Sequence, residues 1–173
     1  MDYEVIRELA RESGFDHIAR LDPKTIELKE EVRQMCQSCG RYGKCWSCPP
    51  GCGTLEDCRV RVGAYQQGIL VQTVGQLEDE FDGEAMMETQ ELHKTCFSAL
   101  CEKLDSADAL RLGAGSCTIC KTCTYPNDPC RFPKKMVSSM ESYGMVVAET
   151  CKANDLPYYY GKNTIAYTSC VLF

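Results

Sequence analysis

Apolar residues recur at every third or fourth position in several stretches of the chain, which is the spacing of an amphipathic helix. The first stretch places Val5, Ile6 and Leu9 on one face, and it is followed by Gly14, a residue that favours a helix end. From this spacing and from the flanking turn residues we predict helices over residues 2–13, 24–35, 55–66, 83–104 and 138–154.

Short apolar runs between turn residues indicate strands. The clearest run is GILVQTV, residues 68–74, which is rich in β-branched side chains. Weaker runs predict further strands over residues 15–21 and 109–113, and a strand pair over residues 158–160 and 164–173 with a turn at 161–163.

Length and charge narrow the class of protein. Because helices and strands alternate, we predict an α/β fold, with α+β as the alternative, in which a mixed sheet is flanked by helices in one domain over residues 1–173. The net charge is -6, with 25 acidic against 19 basic residues and no long basic run, so we expect no nucleic-acid partner. The chain shows neither a signal-peptide core nor a membrane-length apolar run, so we expect a cytoplasmic protein without a membrane partner.

Cysteine is the residue that departs most from ordinary composition, with 14 among 173 residues. In a reducing cytoplasm such thiols are not expected to form a disulfide scaffold, and cysteine patterns there more often bind metals or take part in catalysis. Ten of the cysteines fall in two segments, residues 36–58 and 117–131, of which the first is rich in glycine and proline. A glycine- and proline-rich loop of this length needs something to hold it in a compact domain, so we expect the first segment to bind metal.

The second cysteine segment has the spacing that is most specific for one kind of metal site. In SCTICKTCTYPNDPCR, the thiolates of Cys117, Cys120 and Cys123 follow at steps of three, and each can reach a different iron of one 4Fe–4S cluster. Cys130 then closes the site as the fourth ligand. Zinc sites more often use two separated CxxC pairs, so zinc is the alternative here. The adjacent Arg131 either stabilises the reduced cluster or is an ordinary surface arginine.

The first cysteine segment offers more thiols than one zinc ion needs. Its six thiols belong to Cys36, Cys39, Cys45, Cys48, Cys52 and Cys58. The first four form a CxxC-x5-CxxC pattern, which is typical of a zinc site. A 4Fe–4S cluster with spare thiols, a redox-active thiol pair and packed free thiols are the alternatives, and the spacing alone leaves them open. We favour iron–sulfur over zinc.

The stretches CQSCGRYGKCWSCPP and GAGSCTICKTCTYPNDPCRFPKKMVSSMESYG, together with the ending YYYGKNTIAYTSCVLF, resemble the family of predicted metal-binding proteins known as domain of unknown function 2284. The resemblance covers nearly the whole chain and implies a metal or iron–sulfur role without an established reaction. It implies two ligand sets, with Cys36, Cys39, Cys48 and Cys58 in the first and Cys117, Cys120, Cys123 and Cys130 in the second. Cys45 and Cys52 depart from the family pattern, which weakens the zinc interpretation of the first segment and makes both residues less favoured ligands.

The remaining cysteines and the two histidines are interpreted first as structural. We expect Cys96 and Cys101 to pack on a helix face, and Cys151 and Cys170 to lie in the core, although a distant ligand role is open for the last two. His17 and His93 form no catalytic constellation with other residues, and no nucleotide-binding glycine loop occurs.

Three functions follow from these patterns. The first is an iron–sulfur protein with two 4Fe–4S clusters that passes single electrons to a redox partner protein, as in anaerobic metabolism. The second is an iron–sulfur enzyme with one iron open to substrate. The third is a zinc-binding module that serves structure or metal handling. The oligomeric state is not indicated by any pattern in the sequence.

Overall fold

A five-stranded mixed sheet organises the chain in this computed structural model, which describes residues 2–104 and 109–173. The strands are β1 (His17–Leu21), β2 (Gly68–Gln76), β3 (Leu110–Gly113), β4 (Ser138–Ser139) and β5 (Thr164–Leu172). Their order across the sheet is β1-β2-β5-β3-β4, and every pair is antiparallel except the parallel pair β3–β4. The mixed sheet with flanking helices confirms the predicted architecture, in its α+β form.

The described residues form five α-helices that flank the sheet: α1 (Tyr3–Glu12), α2 (Glu30–Met35), α3 (Leu55–Gly63), α4 (Gly83–Lys103) and α5 (Val147–Ala153). Three short 3-10 helices cover Pro23–Thr25, Cys36–Ser38 and Glu141–Tyr143. Across residues 2–104 and 109–173, no helix combines the length and the apolar character that crossing a bilayer requires.

The central strands β2 and β5 divide the core into two layers because successive side chains of a strand point to opposite faces. On one face Leu70 and Leu172 pack with residues of α3 and α5, including Val62 and Cys151. On the other face Val71 and its neighbours in the sheet pack against α1 and α4. The first cysteine segment joins α2 to α3, and the second leaves the sheet after β3 and returns to it at β4.

Two predicted helices are wrong in part, and tertiary pairing explains both. The helix predicted over residues 24–35 is a 3-10 turn followed by an extended stretch, in which Leu28 forms an isolated β-bridge with Met145, and only Glu30–Met35 is helical. The helix predicted over residues 138–154 begins instead as strand β4 beside β3. It forms a regular α-helix only from Val147, because Gly144 interrupts it in the left-handed conformation.

The strand pair predicted at the end of the chain is also wrong in part. Residues 164–172 form β5, but residues 158–160 are not a strand. Among the described residues, β5 pairs with β2 along its whole length and with β3 only over residues 170–172. Tyr160 instead packs on the sheet, where its hydroxyl donates a hydrogen bond to Gln72 Oε1 at 2.6 Å.

Substitution of Gly144 tests the left-handed backbone conformation that precedes α5. Gly144 has φ +89°, and a Cβ atom there would lie 2.9 Å from the carbonyl oxygen of Lys29. We expect Gly144→Ala to lower the free energy of unfolding by about 1–3 kcal/mol, because it adds both a strained φ and a backbone clash. The measurement is urea unfolding followed by circular dichroism.

The matched control is Gly63→Ala, since a Cβ at Gly63 would meet nothing within 4 Å. That change should leave the free energy of unfolding unaltered or raise it by about 0.5 kcal/mol, because alanine restricts the unfolded chain. Equal effects of the two substitutions would contradict the left-handed turn at Gly144.

Candidate metal centre

The two cysteine segments are distant in the chain but lie against each other in the fold. The indole Nε1–H of Trp46 donates a hydrogen bond to the carbonyl oxygen of Asp128 at 3.1 Å. The Trp46 ring also packs edge-on against Tyr125, with ring centroids 4.9 Å apart. A second hydrogen bond runs from the backbone N–H of Cys117 to Ser47 Oγ at 3.2 Å. The segments therefore form one continuous cysteine-rich unit.

The second segment folds so that its four cysteines line one small space. The side chains of Cys117, Cys120, Cys123 and Cys130 are all half-buried and line a cavity of about 30 Å³. Two hydrogen bonds brace the loop around this cavity. Thr124 Oγ1 donates to the carbonyl oxygen of Pro129 at 2.9 Å, and Arg131 Nη1 donates to that of Thr122 at 2.9 Å.

Cys45 of the first segment lines the same cavity as these four thiols. It is 3% exposed, and its thiol donates a long hydrogen bond of 3.6 Å to the carbonyl oxygen of Arg41. Burial and a hydrogen bond with Cys48 raise the pKa of Cys45 to about 12. Cys45 therefore lies between the two predicted ligand sets, hydrogen-bonded to Cys48 of the first and beside the cavity of the second.

The loop backbone favours the thiolate form at one position of the second segment. Burial opposes ionisation of Cys123. Backbone N–H groups of Tyr125, Trp46 and Thr124 donate hydrogen bonds to its sulfur and outweigh this burial, so that the pKa of Cys123 is lowered. The Arg131 guanidinium adds a smaller effect in the same direction. Trp46 belongs to the first segment, so one segment helps to stabilise a thiolate of the other.

Three thiols of the first predicted set lie near one another where α2 ends. Cys36 begins the 3-10 helix that follows α2, and Cys39 ends it. Burial raises the pKa of Cys36, and the nearby thiols of Cys39 and Cys48 raise it further because neighbouring negative charges repel. Cys39 is exposed, Cys36 is half-buried and Cys48 is buried. The group therefore runs from the surface into the interior.

The fourth predicted ligand, Cys58, is oriented by the start of α3. Thr54 caps this helix with a reciprocal pair of bonds: its backbone N–H donates to Asp57 Oδ2 at 2.7 Å, and Thr54 Oγ1 accepts from the Asp57 N–H at 3.1 Å. This capping box fixes the direction of the first helical turn. Cys58 then points inward and has no exposed surface.

Cys58 shares its buried environment with a second thiol and two arginines. A hydrogen bond from the Cys52 thiol and the nearby guanidinium groups of Arg33 and Arg61 lower the pKa of Cys58 to about 7, although burial acts in the opposite direction. The same hydrogen bond, together with burial, raises the pKa of Cys52. Arg33 Nη1 lies 3.5 Å from Cys58 Sγ, and Arg33 Nη2 donates to the carbonyl oxygen of Gly53 at 2.7 Å.

The chemistry of the donors fits a soft metal. All candidate ligands are thiols, and thiolates bind zinc and iron–sulfur clusters, whereas magnesium and calcium prefer oxygen donors. The thiol-lined cavity of the second segment, flanked by Arg41 and Arg131, also suits an anionic metal–thiolate group. In the part of the chain that the structure describes, no group of three or more His, Cys, Asp or Glu side chains is arranged to hold a single metal ion.

A family model described as predicted metal-binding protein, domain of unknown function 2284, matches residues 19–173. The chain belongs to this family. No curated protein and no solved structure matches the chain. The chain is therefore a cysteine-rich member of a family whose members are predicted to bind metal.

The structure groups the predicted ligands somewhat differently from the sequence pattern. It brings Cys117, Cys120, Cys123 and Cys130 together, and it adds Cys45 to them. The eight-ligand assignment stays a prediction. The two less favoured cysteines are nevertheless integrated into the site, since Cys45 lines the second cavity and Cys52 is hydrogen-bonded to Cys58.

Outside the two segments, cysteines behave as packing residues. Cys96 is buried among the apolar side chains of the α4 face. Cys151 and Cys170 are fully buried in the cluster on the opposite face of the sheet. Cys101 is half-buried.

Sequence reasoning missed the arginines that reach into the site. Arg33 and Arg61 lie in α2 and α3, where an arginine is ordinarily expected on the solvent face. No periodic signal marks a buried guanidinium, because arginine usually follows the polar stripe of a helix. Trp46 did carry a signal: it is the only tryptophan of the chain and stands between two cysteines.

A pair of substitutions tests the second predicted ligand set. We expect Cys120→Ser to lose the metal of the second segment and to lower the thermal stability, because a metal ligand contributes to folding. Cys96→Ala is the matched control, since it removes a buried thiol that only packs, and it should cost about 1 kcal/mol without altering metal content. The measurement is metal analysis of both proteins after purification without oxygen. Unchanged metal content in the Cys120 variant would show that the second site is misassigned.

Proposed function

We propose that the protein carries two 4Fe–4S clusters and passes single electrons to a redox partner. The observation that carries the proposal is the direct packing of two thiol-rich segments, joined by Trp46 and by Cys45. In this proposal Cys36, Cys39, Cys48 and Cys58 hold one cluster. Cys117, Cys120, Cys123 and Cys130 hold the other, in the CxxCxxC spacing that suits a cubane.

The contact between the segments supports electron transfer, because two centres in a domain of this size would lie within about 10–15 Å of each other. Each cluster would exchange one electron at a time between its oxidised and reduced forms. Backbone N–H groups at Cys123 and guanidinium groups near Cys58 would stabilise the added negative charge.

The charge of the whole chain suggests the kind of partner. The net charge of -6 favours docking to a redox protein with a basic surface. We place the protein in the cytoplasm, where thiols stay reduced and available to metals.

The decisive measurement is iron, sulfide and zinc analysis of the protein purified without oxygen, with an absorption spectrum and electron paramagnetic resonance of the reduced form. We expect a brown protein with about eight irons and about eight sulfides per chain. Reduction should give a resonance broadened by interaction between two paramagnets, because the segments are in contact.

Other stoichiometries would contradict the proposal in different ways. About four irons per chain would leave one cluster only and remove the relay between two centres. A colourless protein with stoichiometric zinc would overturn electron transfer and leave the structural or metal-handling module.

A cavity between the segments favours an enzyme as the second candidate. This cavity has a volume of about 330 Å³ and is lined by both Cys52 and Cys130. Arg61 and Tyr143 contribute polar groups to its wall, where Arg61 Nη1 is 3.0 Å from the Tyr143 hydroxyl. A substrate in this cavity would lie beside a cluster of either segment, so an iron without a protein ligand would be accessible to it.

Substitution of Cys58 separates the two candidates. If four cysteines complete the first cluster, Cys58→Ser should remove about four irons per chain. If the first cluster has three cysteine ligands and an open iron, the same variant should retain its iron. Cys96→Ala is again the control for the loss of a buried thiol.

A further inference from the structure

A second kind of site lies on the α4 face of the sheet, beside the second cysteine segment. A cavity of about 760 Å³ extends from α4 to residues 113–119 and 134–137. This volume falls within the range of roughly 300–1,000 Å³ that is typical of small-molecule sites. Cys117 lines the cavity as well, so a molecule bound there would lie next to the second predicted metal site.

The inner wall of the cavity is apolar. Phe97 and Leu104 are buried and belong to the hydrophobic cluster of this face, and Val137 packs against that cluster. The strand β3 contributes Gly113, which has no side chain to occupy the space. These surfaces suit the flat or aliphatic body of an organic molecule.

The polar groups at the bottom of the cavity are neutral and fixed. His93 has no exposed surface, and its ring nitrogens are hydrogen-bonded to Thr73 Oγ1 at 2.9 Å and to Ser169 Oγ at 2.6 Å. Because burial disfavours the imidazolium form, the pKa of His93 is lowered to about 4. The deepest part of the cavity therefore carries no charge at neutral pH.

The remaining wall carries more basic than acidic side chains, in contrast to the acidic chain as a whole. Four basic residues and one acidic residue line it: Lys94, Arg111, Lys134, Lys135 and Glu102. Lys94 is paired with Glu91, with Nζ 3.2 Å from Oε1. In the ranges 2–104 and 109–173, neither Lys134 nor Lys135 forms an ion pair, and both are exposed. Their ammonium groups are therefore available to an anionic ligand.

We propose that this cavity binds an organic phosphate, with its apolar body against Phe97 and Val137 and its phosphate near Lys134 and Lys135. A phosphate is favoured over a carboxylate because it carries more charge and more acceptor oxygens for several cations. The site requires the fold and the two lysines, and it does not require a particular metal in the neighbouring segment.

The test is isothermal titration of the protein purified without oxygen, with whatever metal it then holds. The probe is 1-naphthyl phosphate, and the controls are 1-naphthol, inorganic phosphate and 1-naphthoate. We expect one binding site for the probe and affinities at least about tenfold weaker for naphthol and for inorganic phosphate. Naphthol lacks the charged phosphate group, and inorganic phosphate lacks the apolar ring. Naphthoate should also bind more weakly.

Two pairs of variants, each a test variant with its control, locate the binding. Lys134→Ala/Lys135→Ala should weaken the affinity for 1-naphthyl phosphate about fivefold, whereas Lys152→Ala/Lys162→Ala removes the same charge elsewhere and should leave it unchanged. Ser98 is exposed on the α4 wall of the cavity, so Ser98→Trp should block binding and Ser98→Ala should not.

Failure of this inference and failure of the proposed function are distinguishable. Absence of binding, or equal affinity in the two double-lysine variants, would overturn the phosphate site whatever the metal content. Equal binding of naphthoate would overturn the choice of phosphate. Binding that persists in a protein without iron would uphold the site and contradict only the electron-transfer proposal.

Discussion

The contact of Trp46 and Ser47 with the second cysteine segment is the constraint on which the candidate metal centre depends. Through these two residues, a loop between α2 and α3 is fixed against a loop between β3 and β4. Each loop alone has few apolar side chains with which to form a core. Their mutual packing gives both a defined position, and the sheet fixes the points at which they begin and end.

Metal binding and folding are coupled in such a unit. Ten thiols gathered in two adjoining segments would repel one another if they ionised without a metal. At Cys36, burial is the main cause of the raised pKa, and repulsion from Cys39 and Cys48 adds to it. A bound metal would remove this conflict, because it would bind the ionised form and draw the sulfurs together. In the proposed state the loops would derive their order from three sources: the sheet, the contact between the segments and the metal.

The sequence predicted those elements in which local pattern and tertiary environment agree. The helix α1 and the strand β2 were predicted closely because one has an amphipathic face and the other a buried apolar run. Residues 138–139 were assigned to the wrong element because their pairing with β3 depends on a distant segment. The same reason applies within the site. Cysteine spacing identified both loops and grouped Cys45 with the first segment. It could not show that Cys45 lies beside the second set, because that position arises only from the packing of one loop on the other.

The buried arginine of α2 gives an independent indication that the site is anionic. Arg33 is 9% exposed, and burying a guanidinium is unfavourable unless acceptors and negative charge surround it. The carbonyl oxygen of Gly53 supplies one acceptor at 2.7 Å, and the sulfur of Cys58 lies at 3.5 Å. A neutral thiol would be a poor partner for a buried cation, whereas a thiolate, free or bound to metal, compensates for it. Arg33 therefore favours a charged sulfur at Cys58 by an argument that does not use cysteine spacing at all.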